Sequence, residues 1–188
     1  SLPANLATVK PAIKEITATN IVPHRKTHGN AKTDELTGIL NRRGFYEYGE
    51  KVTSLSASMG KSGGILFFDL DGLKTINDTY GHKIGDLAIK LESYVIKSAF
   101  RESDVVGRLS GDEFGVVAPG FPSRKIDYLR EKLIKLNEKV SKENDLPFTL
   151  SISVGCVDFS PASCDFQALL KQADEKLYEE KRIKHSRR

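Results

Sequence analysis

Tryptophan is absent from this 188-residue sequence, methionine occurs once, cysteine occurs twice, and no apolar run exceeds four residues. The longest run, at 65–68, is far shorter than the roughly 20 apolar residues that cross a bilayer. Cys156 and Cys164 form neither a CxxC pair nor a metal-binding spacing with histidine, so we expect structural or free thiols, which fit a reducing cytosol. A cytoplasmic domain is therefore expected, and a membrane-anchored parent protein is compatible with it.

The charge is modest as well, with a formal net charge of +4 and several basic residues in the terminal segments. Basic and aromatic residues are not interleaved in the way that single-stranded nucleic acids require. We therefore expect no nucleic-acid partner, because this charge is better suited to a small ligand that carries phosphate, or simply to solubility.

Regular patterning begins at Asp34. The preceding segment, 1–33, has three prolines and a polar stretch, which indicate a connector from an upstream module, partly helical or disordered. We expect one globular domain over 34–184 and a basic tail over 185–188.

Helical and strand patterns alternate within that domain. Helices are predicted at 45–59, 84–95, 126–140 and 166–177, and strands at 65–68, 105–109, 114–118 and 148–156. The first helix is expected to bury Phe45, Tyr48, Val52, Leu55 and Met59. The last strand is expected to be half buried, because Thr149, Ser151 and Ser153 alternate with apolar residues. This order predicts an α/β fold with a mixed central sheet flanked by helices.

Two adjacent acids, Asp112 and Glu113, lie at the predicted hairpin tip. Gly111 and Asp112 fit a two-residue turn whose first residue takes a positive φ. Close carboxylates repel unless a cation, a proton or solvent separates them. The pair therefore has two interpretations, a solvated polar turn and half of a metal site.

Asp69 and Asp71 directly follow a buried strand, at the edge where ligands of α/β sheets gather. Carboxylates there commonly hold Mg²⁺, a role that we assign to Asp69, whereas Asp71 fits a helix cap as well. If the hairpin flanks this strand, Asp112 and Glu113 arrive beside Asp69. Carboxylates and a divalent cation facing a triphosphate are what nucleotidyl transfer requires.

The residues that follow fit a nucleotide. Gly72, Leu73 and Lys74 offer backbone N–H groups and an ammonium group to phosphates. Asn77 and Asp86 match the donors and the acceptor of a guanine edge. Their commoner roles are a turn residue and a helix-start acid.

Arg101 and Asp104 precede the hairpin at a spacing that favours a local ion pair. The alternative is a surface clamp for a phosphate and a purine edge.

Several motifs in this order resemble the GGDEF domain of bacterial diguanylate cyclases. They are DELTG at 34–38, NRR at 41–43, DLDGLKTIND at 69–78, GHKIGD at 81–86, SGDEF at 110–114 and ADEKLYEEK at 173–181. The resemblance implies a fold related to nucleotidyl cyclases and polymerase palms, with the GGDEF catalytic domain over 34–184.

It also implies a reaction, in which two GTP condense to cyclic di-GMP, a bacterial second messenger, with release of two pyrophosphates. Mg²⁺, or alternatively Mn²⁺, would be the cofactor. Catalysis would need a homodimer, assembled by an upstream sensor or receiver domain, in which each protomer holds one GTP.

Site residues follow from the resemblance by position. The Mg²⁺ ligands would be Asp69, the Leu70 carbonyl and Asp112, and Glu113 would assist a second metal or deprotonate the 3′-hydroxyl. The contacts to GTP would come from Leu73, Lys74, Asn77, Asp86, Gly111 and Lys181. Arg101 and Asp104 occupy the place of the family's product-inhibition motif.

Two positions depart from the family pattern. Ser110 replaces the first glycine of the signature, where a side chain would crowd the nucleotide, and His185 replaces a later basic residue. Because every expected carboxylate and guanine-reading residue is present, we expect an active cyclase with product feedback inhibition. The alternative is a weak or inactive module that senses GTP or cyclic di-GMP.

Overall fold

The computed structural model describes residues 31–187, so most of the predicted connector and Arg188 of the predicted tail lie outside the described residues. The elements are α1 Arg42–Ser58, β1 Gly63–Leu70, α2 Leu73–Tyr80, α3 His82–Ala99, β2 Val105–Ser110, β3 Glu113–Pro119, α4 Ile126–Glu143, β4 Ile152–Phe159 and α5 Phe166–Ser186. No helix in this part of the chain combines the length and apolarity of a membrane span.

The four strands form one sheet in the order β2-β3-β1-β4. Its three ladders are antiparallel, and a parallel bridge between Leu40 and Gly107 makes the sheet mixed at the β2 edge. Helices cover both faces, which confirms the predicted α/β architecture.

An apolar layer lies on each side of the sheet. Phe68 of β1 belongs to the layer under α3 and α4, whereas Ile65 and Phe67 belong to the layer under α1 and α5. Successive residues of a strand alternate between the two faces. Asp69, which continues the series of Ile65 and Phe67, therefore lies on the α5 side.

The prediction for α1 is wrong about which side of the helix is buried. Phe45 is buried, but three of the other residues predicted to be buried are exposed, namely Tyr48, Leu55 and Met59. The buried side consists largely of small residues, namely Gly44, Gly49, Thr53, Ser56 and Ala57. A Cβ at Gly49 would lie 2.8 Å from the Phe166 ring, so α1 approaches α5 more closely than a larger residue permits.

The prediction of a half-buried β4 is also wrong, because this strand is buried on both faces for most of its length. Ile152 and Val154 face the layer of α3 and α4, and α5 packs on the other side. Ser153 is completely buried, and its hydroxyl donates to Asp71 Oδ1 at 2.7 Å. The serine of the alternating pattern is thus a buried hydrogen-bonding group rather than a solvated one.

Candidate active site

The hairpin of β2 and β3 lies beside the end of β1. The register pairs Asp69 with Glu113 on one side and with Ser153 on the other. Directly paired residues of antiparallel strands project to the same face, so all three side chains lie on the α5 side. The Leu70 N–H donates to the Asp112 carbonyl at 2.9 Å, which fixes the hairpin loop against the end of β1.

Asp69 carries an incompletely balanced charge. Burial raises the pKa of Asp69 to about 7, and the nearby Asp112 adds to the effect of burial, although the Lys181 ammonium opposes it. Lys181 Nζ lies 2.5 Å from Asp69 Oδ2. The other oxygen, Oδ1, is buried and has no hydrogen-bond partner in the described part of the chain. An unpartnered buried carboxylate oxygen is costly, and a bound cation would satisfy it.

The donor set at this edge fits a hard divalent cation. Among residues 31–187, no three His, Cys, Asp or Glu side chains are grouped around one metal position. The predicted ligands are instead two carboxylates, from Asp69 and Asp112, and the Leu70 carbonyl. These are all oxygen donors, which Mg²⁺ and Mn²⁺ prefer, with water completing the shell.

Gly111 and Asp112 form the two-residue hairpin loop that the sequence predicts, but the expectation of a positive φ at Gly111 is wrong. The positive-φ glycines among the described residues are at 38, 60, 72, 81 and 120. A Cβ at Gly111 would meet no atom within 4 Å. The fold therefore does not require glycine here, and the missing side chain leaves open space beside Asp112.

The loop is held by Arg108, a residue to which the sequence assigned no role. Its Nε and Nη2 atoms donate to the Gly111 carbonyl at 3.1 and 2.8 Å. Its Nη1 atom donates to the Asp34 carboxylate at 3.2 Å. Asp34 and Arg108 both lie within or beside recognised motifs, and this was the only signal in the sequence that could have identified the pair.

Gly72 opens the N-terminus of α2 towards the same edge. It is the N-cap of α2 with φ 73°, a conformation that favours glycine, and no side chain caps the helix. The first N–H groups of α2, from Leu73 onwards, are therefore free for an anion. Lys74 is exposed in this first turn.

Asn77 and Asp86 lie on two helices that the single residue Gly81 connects. A Cβ at Gly85 would lie 1.8 Å from Asn77 Oδ1, so the absence of a side chain there lets Asn77 pack against α3 beside Asp86. The commoner roles are excluded, because Asn77 lies within α2 and the first turn of α3 contains no acid.

Asp71 does not cap α2, since Gly72 occupies the cap position. Its carboxylate accepts hydrogen bonds from Ser151 at 2.6 Å, Ser153 at 2.7 Å and Lys184 at 3.0 Å. Although burial acts in the opposite direction, these donors lower the pKa of Asp71. Lys184, which the sequence did not single out, thus joins Lys181 in binding α5 to carboxylates at the strand ends, a role that His185 does not take.

Arg101 and Asp104 form a turn rather than the local ion pair that their spacing favoured. The Arg101 backbone N–H donates to Asp104 Oδ2 at 2.8 Å. No hydrogen bond or ion pair of the Arg101 guanidinium occurs with any residue in 31–187. The Arg101 and Asp104 turn is distant from the acidic edge. Val105, which follows Asp104, pairs with Val117 of β3. Val117 is four residues from Glu113 along this strand, a distance of about 13 Å. The turn and the edge that carries Asp69 therefore lie at opposite ends of the sheet.

The structure is an α/β domain whose sheet is covered by helices on both faces. Its acidic edge suits a cation, and the nearby lysine and helix N-terminus suit phosphate ligands. Residues 31–187 match the family model described as diguanylate cyclase, GGDEF domain. The chain belongs to this family.

Sequence similarity to individual proteins supports the assignment to this family. The chain is 31% identical over 172 residues to the probable diguanylate cyclase DgcC of Escherichia coli strain K12, covering 91% of this chain and 46% of that protein. It is 34% identical over 156 residues to the diguanylate cyclase DgcP of the same strain, covering 81% and 45%. The chain thus spans about half the length of these relatives.

The fold is likewise similar to solved GGDEF domains. The GGDEF domain of DgcB from Caulobacter crescentus, crystallised with c-di-GMP, superimposes with a TM-score of 0.71 at 24% identity. The match covers 83% of this chain and 93% of that one. At this identity the likeness shows the fold alone.

Proposed function

We propose that this domain condenses two GTP into cyclic di-GMP and two pyrophosphates, with Mg²⁺ or Mn²⁺ as cofactor. The observation that carries the proposal is the state of Asp69, which is half-buried beside Asp112 and Lys181 and has one buried carboxylate oxygen without a hydrogen-bond partner among residues 31–187. A fold gains nothing from such a carboxylate unless a ligand completes it.

The residues around this edge divide the work of holding GTP. The free N–H groups at Leu73, together with Lys74 and Lys181, bind the phosphates. Asn77 and Asp86 read the guanine edge. The cation, when bound by Asp69, Asp112 and the Leu70 carbonyl, neutralises charge that develops on the phosphates. Gly111 provides room for the nucleotide beside the acids.

In the reaction, the 3′-oxygen of one GTP attacks the α-phosphorus of the GTP held by a second protomer. The bond from that phosphorus to the bridging oxygen of the β-phosphate breaks, and pyrophosphate leaves with its electron pair. Glu113 accepts the proton of the 3′-hydroxyl. Two such steps close the ring, so the site is complete only in a homodimer.

Arg101 and Asp104 would bind the product and inhibit the enzyme. Their position at the opposite end of the sheet from Asp69 would make this a separate site. The Arg101 guanidinium, which has no partner among residues 31–187, suits a phosphate and a purine edge. An upstream sensor or receiver domain in the parent protein would control dimerisation.

A dimer enforced by a fused coiled coil, incubated with GTP and Mg²⁺, tests the proposal. The nucleotides are then separated by chromatography. We expect cyclic di-GMP and pyrophosphate. Less product should form when an Mg²⁺ chelator is present than when it is left out. Bound but unconverted GTP would contradict the proposal.

The second candidate is a non-catalytic module that senses GTP or cyclic di-GMP. The departure at Ser110 favours it, because a side chain stands where the family signature has glycine. Bound GTP that the enforced dimer never converts would support this alternative.

A further inference from the structure

Ser110 and Glu113 face each other across the hairpin loop. Ser110 is the last residue of β2, Glu113 is the first of β3, and the two are paired in the register. Their side chains therefore share the α5 face of the sheet, which also carries Asp69. The Ser110 hydroxyl donates a hydrogen bond to Glu113 Oε1.

Glu113 depends on this hydroxyl for its orientation. Within the described residues, Ser110 Oγ is the only group that hydrogen-bonds the Glu113 side chain. Asp174 of α5 is close enough that the Glu113 charge adds to burial in raising the pKa of Asp174. Glu113 thus has a repelling neighbour on one side and a single donor on the other. A glycine at position 110 would remove the donor and leave the repulsion.

We propose that Ser110 is a positioning residue, whose hydroxyl holds Oε1 of Glu113 and leaves Oε2 for the substrate hydroxyl or a cation. The inference rests on the proposed function, since it concerns the acid of the same site. A carboxylate restrained in one rotamer loses less freedom when the reacting groups assemble. The serine then replaces the usual glycine without obstructing the nucleotide, because its hydroxyl is directed at Glu113.

Three substitutions of Ser110 separate positioning from crowding. If the hydroxyl positions Glu113, Ser110→Thr retains activity, whereas Ser110→Ala and Ser110→Gly lower kcat by about 3- to 10-fold, the value of one hydrogen bond. The KM for GTP stays within about two-fold in all three, since the nucleotide contacts are unchanged. If the side chain only crowds GTP, KM instead rises steadily with size from glycine to alanine, serine and threonine.

A binding measurement keeps the test independent of turnover. Mn²⁺ binding to the full chain with a non-reactive GTP analogue is measured by electron paramagnetic resonance. We expect affinity to follow the hydroxyl, with serine and threonine alike and about 3- to 10-fold tighter than alanine and glycine. In a Glu113→Ala background, Ser110→Ala should then change nothing further, because its partner is absent.

Ser58→Ala is the matched control. Ser58 is an exposed serine whose hydroxyl donates to the Leu55 carbonyl at the end of α1, before β1 begins. This variant should leave kcat and Mn²⁺ affinity unchanged. Thermal unfolding monitored by circular dichroism should give the same midpoint for all single variants, because the Ser110 contact is solvent-exposed.

The outcomes separate the two proposals. Analogue and Mn²⁺ binding that follows the hydroxyl, without any turnover, would contradict the cyclase activity and support the role of Ser110. Turnover with KM ordered by side-chain size, or threonine behaving like alanine, would overturn the role of Ser110 and leave the cyclase activity intact. Absence of metal-dependent analogue binding would contradict both.

Discussion

The Lys181 ammonium lies 2.5 Å from Asp69 Oδ2, while Asp69 Oδ1 is buried and has no partner among the residues that the structure describes. One lysine therefore balances only part of the charge at the end of β1. Burial still holds the pKa of Asp69 at about 7, in spite of Lys181. This ion pair joins α5 to the acidic edge and brings a lysine far along the sequence beside Asp69.

Lys181→Met should weaken GTP binding by about 10-fold or more, the value of a charge-assisted hydrogen bond. Lys181 contacts Asp69 at the end of β1, and in the proposed site its ammonium also binds the phosphates of GTP. Titration calorimetry with GTP and Mg²⁺ measures the effect. Lys171→Met, at an exposed position of the same helix, is the control and should bind GTP normally. Equal affinities in both variants would remove Lys181 from the site.

Gly111→Ala should reduce GTP affinity by about 10-fold or more, because an added methyl group displaces the nucleotide. It should not destabilise the fold, since its Cβ would meet no atom within 4 Å. Gly155→Ala is the opposite control, because its Cβ would lie 2.0 Å from the Ala173 carbonyl oxygen. We expect that control to lose at least about 1–3 kcal/mol in the free energy of unfolding. Normal GTP affinity in Gly111→Ala would show that the nucleotide does not occupy the open space beside Gly111.

Arg101→Ala should raise the cyclic di-GMP concentration required for half-inhibition by about 10-fold or more, because the proposed product site loses its guanidinium. Inhibition is measured on the enforced dimer with added product. Initial rates recorded before product accumulates serve as the reference for each protein. An unchanged inhibition curve would place feedback elsewhere or exclude it.

Glu92 provides a prediction about pH and stability. Its carboxylate is fully buried between α3 and α4, accepts a hydrogen bond from Asn137 at 3.0 Å, and has a pKa that burial raises from 4.5 to about 8. The unfolded chain therefore releases this proton at lower pH than the folded protein. Through this group, the folded state loses stability as pH rises from about 4.5 to about 8.

Glu92→Gln removes that titration. The variant should gain stability relative to the original protein as pH rises, reaching on the order of 2–4 kcal/mol at pH 8. The difference should shrink towards pH 4.5, where Glu92 is neutral in the folded state. Urea unfolding at several pH values measures it. Stability curves that run parallel from pH 4.5 to pH 8 would show that Glu92 is not neutral in the fold.

Much of the fold was predictable, because its main signals are local. The buried run at 65–68, the hairpin acids and the apolar spacing of α3, α4 and α5 locate their elements without tertiary information. The face of α1 was not predictable in this way. The buried side of α1 consists largely of glycine and other small residues. A search for periodic large apolar residues does not detect a helix face that packs closely through small ones.

The site shows the same division. Strand order brings Asp69 beside Glu113. From the sequence, this pairing could be predicted only on the condition that the hairpin flanks β1. Asp71 forms hydrogen bonds with Ser153, 82 residues away, and with Lys184, 113 residues away. No local pattern in the sequence reveals contacts of this separation. The ordinary φ of Gly111 was missed because a loop glycine can serve ligand access as well as backbone geometry.

Cyclic di-GMP formation by the enforced dimer and by its Asp112→Asn counterpart tests the central claim most directly. Asparagine preserves the size of the side chain and removes its charge, so circular dichroism should show an unchanged fold. We predict product from GTP and Mg²⁺ in the original protein and a loss of at least about 100-fold in the variant. Equal turnover in the two proteins would contradict a metal-dependent reaction at the Asp69 and Asp112 edge.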